Sequence, residues 1–191
     1  MRAFLTSIVG ALLALFGRTG SVAAEYKTAE VYQGLREQVF SAKPADLGLK
    51  PTSAGSVWGL VMETGYPEAV VTLVTLSDGT VSLYFSNGGG IIGLGPHEGP
   101  RKAAENLLSF APQYIANCTK TESYPLPKKG ATRFYILTYV GVFTAEVPED
   151  ELGYNRHTLS PLFHKAHDVI AEARKVDEAR EAEQPRKPDA R

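Results

Sequence analysis

The sequence predicts an α+β fold: a five-stranded antiparallel sheet with helices packed on its faces, in the order α-βββ-α-ββ-α. Three observations carry that expectation. In "AVVTLVTLSDGTVSLYFS", two runs of β-branched and aromatic residues flank Asp78-Gly79, a strong short-range signal for a hairpin. A second pair of such runs, "TRFYILTYVGVFTAEV", turns near Val140-Gly141. Segments with apolar residues at helical spacing precede, separate and follow these hairpins. Hairpins imply antiparallel pairing, and the intervening helices must cover the faces of the sheet. There is no internal repeat.

Taken in order, "KTAEVYQGLREQVF" opens with a helix whose apolar face is Val31, Leu35 and Val39, with Thr28 as N-cap. Pro44 and Pro51 bracket a loop. "SVWGLVMETG", bounded by Gly55 and by Gly65 and Pro67, reads as the first strand. The Asp-Gly hairpin supplies the next two. "PRKAAENLLSFAPQYIANC" then places Ala104, Leu107, Leu108, Ala111, Tyr114 and Ile115 on one helical face, with Pro100 at the first helical position. After the second hairpin, "SPLFHKAHDVIAEAR" is a helix with Ser160 as N-cap and Pro161 behind it, burying Leu162, Ala166, Val169, Ile170 and Ala173. These elements define one domain over 26–174.

The ends are of a different character. Arg2, the apolar run Ala3–Phe16 and the small residues Val22 and Ala24 make 1–24 a secretory signal with cleavage after Ala24. The run is shorter than the roughly 20 residues that span a bilayer. The alternative is a membrane-anchoring segment, with Arg18 at an interface, holding the domain to the membrane from outside or from the cytoplasm. Contact with a membrane is expected only through this segment. No cysteine follows the run, which excludes a lipoprotein anchor there. At the other end, 175–191 mixes acids and bases with Val176 its only large apolar residue, and reads as a disordered charged tail.

Composition excludes several classes of function. The net charge of -1 over 191 residues offers no field to attract nucleic acid. One cysteine, Cys118, rules out an internal disulfide and a cysteine-only metal cage. No cofactor is expected.

The densest motif is "YFSNGGGIIGLGPHEGP", Tyr84 to Pro100. A nucleotide P-loop would need Lys followed by Ser or Thr at the helix start, and Arg101-Lys102-Ala103 lacks the hydroxyl. The dinucleotide fingerprint fails because Pro96 and His97 follow Gly93-Leu94-Gly95. The glycines are therefore first a backbone corner that needs positive φ or close approach. The alternative is a small-anion site built from Asn87, Gly88, Gly89, Gly90, His97 and Arg101 at a helix N-terminus, with Glu98 and Glu105 as competing partners for the local cations.

Other chemistry is sparse. His164 and His167 lie three apart on the last helix and, with His157, are weak candidates for a metal site. Cys118 has no local activating partner, and Ser86 lies outside any Gly-x-Ser-x-Gly turn. Asn117-Cys118-Thr119 fits a glycosylation sequon. Glu63 and the acids of "PEDELG" read as turn and surface residues, while Trp58 and Tyr84 read as core.

Two stretches, "VWGLVMETGYPEAVVTLVTLSDGTVSLYFSNGGGIIG" and "ELGYNRHTLSPLFHKAHDVI", resemble a family of small bacterial proteins with no assigned activity. The shared features are the tryptophan strand ending in Met-Glu-Thr-Gly, the Asp-Gly-Thr hairpin, the triple-glycine corner and the Pro-Leu-Phe helix. The element order is also similar to the roadblock and profilin-like layout. That likeness implies a shape, with a protein partner or a homodimer as the mode of action, because roadblock domains are mainly dimerising scaffolds for small GTPases. An exported chain would not meet such a GTPase. The expectation is an exported or envelope-associated, non-enzymatic interaction domain. The alternative is a domain, enzymatic or not, that binds a small anion at the glycine corner.

Overall fold

β-Branched and aromatic runs in the middle of the chain form a single antiparallel sheet, seen in a computed structural model that describes residues 26–51 and 56–183. The expected signal segment 1–24 and the last eight residues of the expected tail lie outside the described residues. The chain begins with α1 (Glu30–Ser41), followed by β1 (Val57–Gly65), β2 (Val70–Leu76), β3 (Val81–Phe85) and β4 (Gly90–Ile91). Then come α2 (Glu98–Phe110), a 3-10 helix (Ala111–Asn117), β5 (Thr119–Thr121), β6 (Ala131–Thr138) and β7 (Gly141–Pro148). A short α3 (Glu149–Gly153) leads into α4 (Ser160–Glu183).

The strand order is β4-β3-β2-β1-β6-β7-β5, so the sheet has seven strands and not the expected five. The two additional strands are the edges. β4 has two residues and β5 three, too short for an alternating pattern to register. Short edges of this kind also limit edge-to-edge aggregation. The central strands pair as the hairpin signals require, with β1 antiparallel to both β2 and β6.

Period-two alternation sends side chains to two separate cores. On one face, Leu60, Met62, Leu73, Leu83, Phe134 and Ile136 pack under α2 and α4. On the other, Trp58, Val61, Val74, Tyr84, Tyr135 and Leu137 pack under α1. A register irregularity between Val57 and Gly59 allows Trp58 and Val61 to share a face despite their odd separation.

The helices depart from expectation in detail. On α1 it is Tyr32 that is fully buried; Leu35 and Val39 are partly buried, and Val31 is 60% exposed. Ala29, not Thr28, is the N-cap, and the Thr28 hydroxyl instead accepts from Gln33 Nε2 at 2.6 Å. α2 starts at Glu98, which puts Pro100 in its first turn, where a missing N–H breaks no helical bond.

α4 runs on to Glu183, so 175–183, expected as the start of a disordered tail, is helical. Val176 packs against the main core, and Arg180 donates to His97 Nε2 at 3.0 Å. Together these tie the extension to the start of α2.

Candidate functional site

α4 packs beside α2 on one face of the sheet. It leaves a groove of about 720 Å³ between itself and β2, β3 and β4. Val71, Leu83, Phe85 and Ile91 form an apolar floor, Ile170 and His167 form the helix wall, and Tyr66 and Arg174 stand at the mouth. The sequence builds this by phase: Val71, Leu83 and Ile91 alternate onto the α4 face, while His167, Ile170 and Arg174 follow one another at helical spacing along α4.

The polar groups of the groove are Tyr66 and, along α4, His167, Arg174, Lys175, Asp177 and Glu178. His167 Nε2 is buried and has no hydrogen-bond partner among the described residues. Its ring rests on Phe163 at 4.3 Å. Burial lowers its pKa, and the nearby His164 and Arg174 charges lower it further, against Asp168. The imidazole is thus held neutral, able to accept or donate one hydrogen bond. The Tyr66 hydroxyl donates to Glu149 at 3.0 Å. Burial, that hydrogen bond and the Glu149 charge push its pKa up to about 12, with Arg174 acting in the opposite sense. Arg174 therefore places positive potential on both Tyr66 and His167. Its guanidinium is in no ion pair among the described residues, in contrast to Lys175 beside it, which pairs with Glu172 at 2.6 Å. The rim of the trough carries both signs of charge, Arg174 and Lys175 with Asp177 and Glu178, so it is the apolar floor, with Arg174 the rim cation in no ion pair among the described residues, that gives the trough its ligand character.

The residues expected to form an anion site are placed apart. Asn87 is exposed on the turn between β3 and β4. Gly88, Gly89 and Gly90 follow with φ of 100°, 87° and 145°, the backbone corner anticipated from sequence. Of these only Gly90 touches the groove, and a Cβ there would fall 2.6 Å from the Leu83 carbonyl oxygen and Tyr84 Cα. His97 caps α2 and accepts from Arg180. Arg101 pairs with Glu105 at 3.0 Å and Lys102 with Glu98 at 2.6 Å. The acids named as competing partners take both cations.

The histidines are also dispersed in role. His157 Nδ1 accepts from the Leu159 N–H at 3.1 Å, and His164 Nε2 is 3.0 Å from Asn155 Oδ1. No group of three His, Cys, Asp or Glu that could hold a metal occurs among the described residues. Cys118 is half-buried, and burial pushes its thiol up to about 11, so little thiolate is present at neutral pH.

Sequence reasoning missed a second constellation. Glu63, expected at the surface, is fully buried on the α1 face of β1. Arg36 of α1 reaches it in two-pronged fashion, Nε to Oε1 at 2.7 Å and Nη2 to Oε2 at 2.9 Å, and Nη2 also donates to the Tyr124 carbonyl at 2.6 Å. The Tyr32 and Thr72 hydroxyls approach Oε1 at 3.3 Å. Burial and the Glu63 charge raise the phenol pKa values of Tyr32, Tyr84 and Tyr135 above their ordinary value. A cavity of about 500 Å³ opens beside Arg36, walled by Tyr32, Phe40, Tyr124 and Leu126. The signal was present in the strand period: Val61 and Glu63 must share a face, and Tyr32 and Arg36 are four apart on α1. Because Glu63 and Arg36 satisfy each other, this constellation is an internal tie between α1 and the sheet.

The fold and groove define an antiparallel α+β domain with a ligand-sized trough beside an edge strand. Comparison with family models finds no match, and no curated protein or solved structure is significantly similar to the chain.

Proposed function

We propose that this protein is an exported or envelope-associated binding domain without catalytic activity, and that its ligand lies in the groove between α4 and the β2–β4 side of the sheet. The observation that carries the reading is the combination at that groove. An apolar floor, a buried imidazole nitrogen with no hydrogen-bond partner among the described residues and an arginine in no ion pair among them converge on one concavity, whose rim also carries Lys175, Asp177 and Glu178. The ligand class that answers all three is an anion with an apolar body. The acid–base groups lining the groove, Tyr66, His167, Lys175, Asp177 and Glu178, are joined by no serine, threonine or cysteine among the described residues, which favours binding over turnover.

Thermal unfolding of the chain from Glu25 onward, with and without octanoate, decanoate, phosphate and nucleotides, tests the reading. Decanoate at about 100 times its dissociation constant should add about 2.7 kcal/mol of stability. Arg174→Ala should lose that gain while keeping its own midpoint. Phosphate and nucleotides should leave the midpoint unchanged. Failure of every apolar anion to stabilise the wild type would reject the groove as a ligand site.

A further inference from the structure

On the opposite face of the sheet, α1 covers the β2–β3 hairpin incompletely. Leu35 and Val39, expected from the sequence as the apolar face of α1, are only partly buried, as is Leu47 in the loop that follows. Beneath them Val74, Leu76 and Tyr84 form a buried floor. The space between is a cavity of about 210 Å³. Gln38, Asp78, Thr80 and Ser82 are the other polar residues around it. The Tyr84 hydroxyl is buried and has no hydrogen-bond partner among the described residues. Glu63, in the same row of the sheet through Thr72, is already engaged by Arg36, Tyr32 and Thr72. Burial first, and then the Glu63 charge, keep the Tyr84 phenol protonated, with Arg36 acting in the opposite sense. The hydroxyl can therefore both donate and accept.

We propose that this cavity is a second ligand site, separate from the groove, for a small neutral molecule: one apolar ring carrying a single hydroxyl or carbonyl that bonds to Tyr84. Size, charge and the buried phenol set that class. Apolar cavities of about 150 Å³ take up one benzene ring. A volume of about 210 Å³ holds such a ring with a few further atoms, and is too small for a peptide or a long acyl chain. No cation lines the cavity, and its only acid is Asp78. Asp78 is exposed on the hairpin turn, where it accepts from the Thr80 N–H at 2.9 Å. An anion entering here would lose its hydration with no positive group to replace it. A buried hydroxyl left unpaired is costly, and one polar atom on the ring removes that cost. A water molecule would answer the hydroxyl but leave Leu35, Val39 and Leu76 without apolar contact. The groove, with Arg174 on its rim, and this cavity thus lie on opposite faces of the sheet and select ligands of different charge.

The probe is p-cresol, set beside toluene, which lacks the hydroxyl, and 4-methylbenzoate, which carries a charge in its place. p-Cresol and toluene should raise the thermal midpoint of the protein, and 4-methylbenzoate should not. Intermolecular NMR contacts should join the p-cresol ring to the methyl groups of Val74 and Leu76. Tyr84→Phe should weaken p-cresol about fivefold, the value of one neutral hydrogen bond, and leave toluene within about twofold. Val39→Phe should fill the space from the α1 side and weaken both neutral probes. Arg174→Ala, in the groove on the other face, should leave p-cresol binding unchanged. Contacts from p-cresol to Val71 or Leu83, on the groove floor, would overturn the proposal. So would an equal loss of p-cresol and toluene in Tyr84→Phe, or binding of 4-methylbenzoate as tight as that of p-cresol. If neither neutral probe shifts the midpoint up to its solubility limit, the cavity is a packing gap and the proposal fails, whatever decanoate does at the groove.

Discussion

Replacing Arg36 with methionine tests the tie that seats α1. Glu63 is fully buried, and Arg36, with 17% of its side chain exposed, is the cation paired with it. Without the guanidinium the carboxylate keeps only two neutral hydroxyls, each at 3.3 Å. Removing one partner of a buried ion pair costs about 3–5 kcal/mol, a large share of the about 5–15 kcal/mol available to a domain. The midpoint should fall by about 10 °C. Glu63→Gln combined with Arg36→Met removes both charges and keeps a carbonyl oxygen for Tyr32 and Thr72, so the double variant should be less damaged than Arg36→Met alone. The coupling energy should be about 2 kcal/mol or more. Urea titration followed by Trp58 fluorescence is the natural assay, because Trp58 is the single tryptophan and is buried in the same α1-side core. If Arg36→Met costs less than about 1 kcal/mol, or if the double variant equals the sum of the singles, the pair is not coupled in the way the geometry requires.

Three further outcomes are expected. Alanine at Gly90 should destabilise most, because φ is +145° and the Cβ meets backbone at 2.6 Å; alanine at Gly88 or Gly89 faces φ strain alone and should cost about 1 kcal/mol, which urea midpoints will rank. For His167, burial first and the His164 and Arg174 charges next hold the folded-state pKa below its ordinary value of about 6.5. The unfolded chain then binds the proton more readily, so the contribution is complete above about pH 6.5 and is lost as pH falls; His167→Gln should flatten stability against pH in that acid range, and an NMR titration in which the folded imidazole protonates at or above its ordinary value would contradict this. Finally, if 1–24 is a cleaved signal, intact mass of protein from the native host should correspond to a chain starting at Glu25 and isolated outside the cytoplasm, whereas retention of those residues would favour the anchor.

Much of the architecture was legible because it rests on strong local signals. Asp78-Gly79 and the flanking runs led to the hairpin of β2 and β3, which pairs Val74 with Ser82 and Thr72 with Tyr84. What escaped were elements whose identity depends on partners far along the chain. β5 is a strand only because Thr119–Thr121 lie against Val142–Thr144, and three residues carry no period of their own. Glu63 looked like a turn residue because Gly65 and Pro67 follow so closely. Its burial depends on an arginine 27 positions earlier, a pairing that no window around "METG" contains. Arg174 escaped for the opposite reason. It lies where the apolar period of α4 gives way to mixed charge, the point at which the domain was expected to end. A cation there looks like ordinary solvated surface until the fold places it on the rim of one groove with Tyr66 and Ile91. The same holds for Gly90: its conformational need was readable from "NGGGII", but its place in a groove wall was not. Backbone requirements are written locally in glycine and proline, whereas a binding surface is assembled from segments that the chain brings together last.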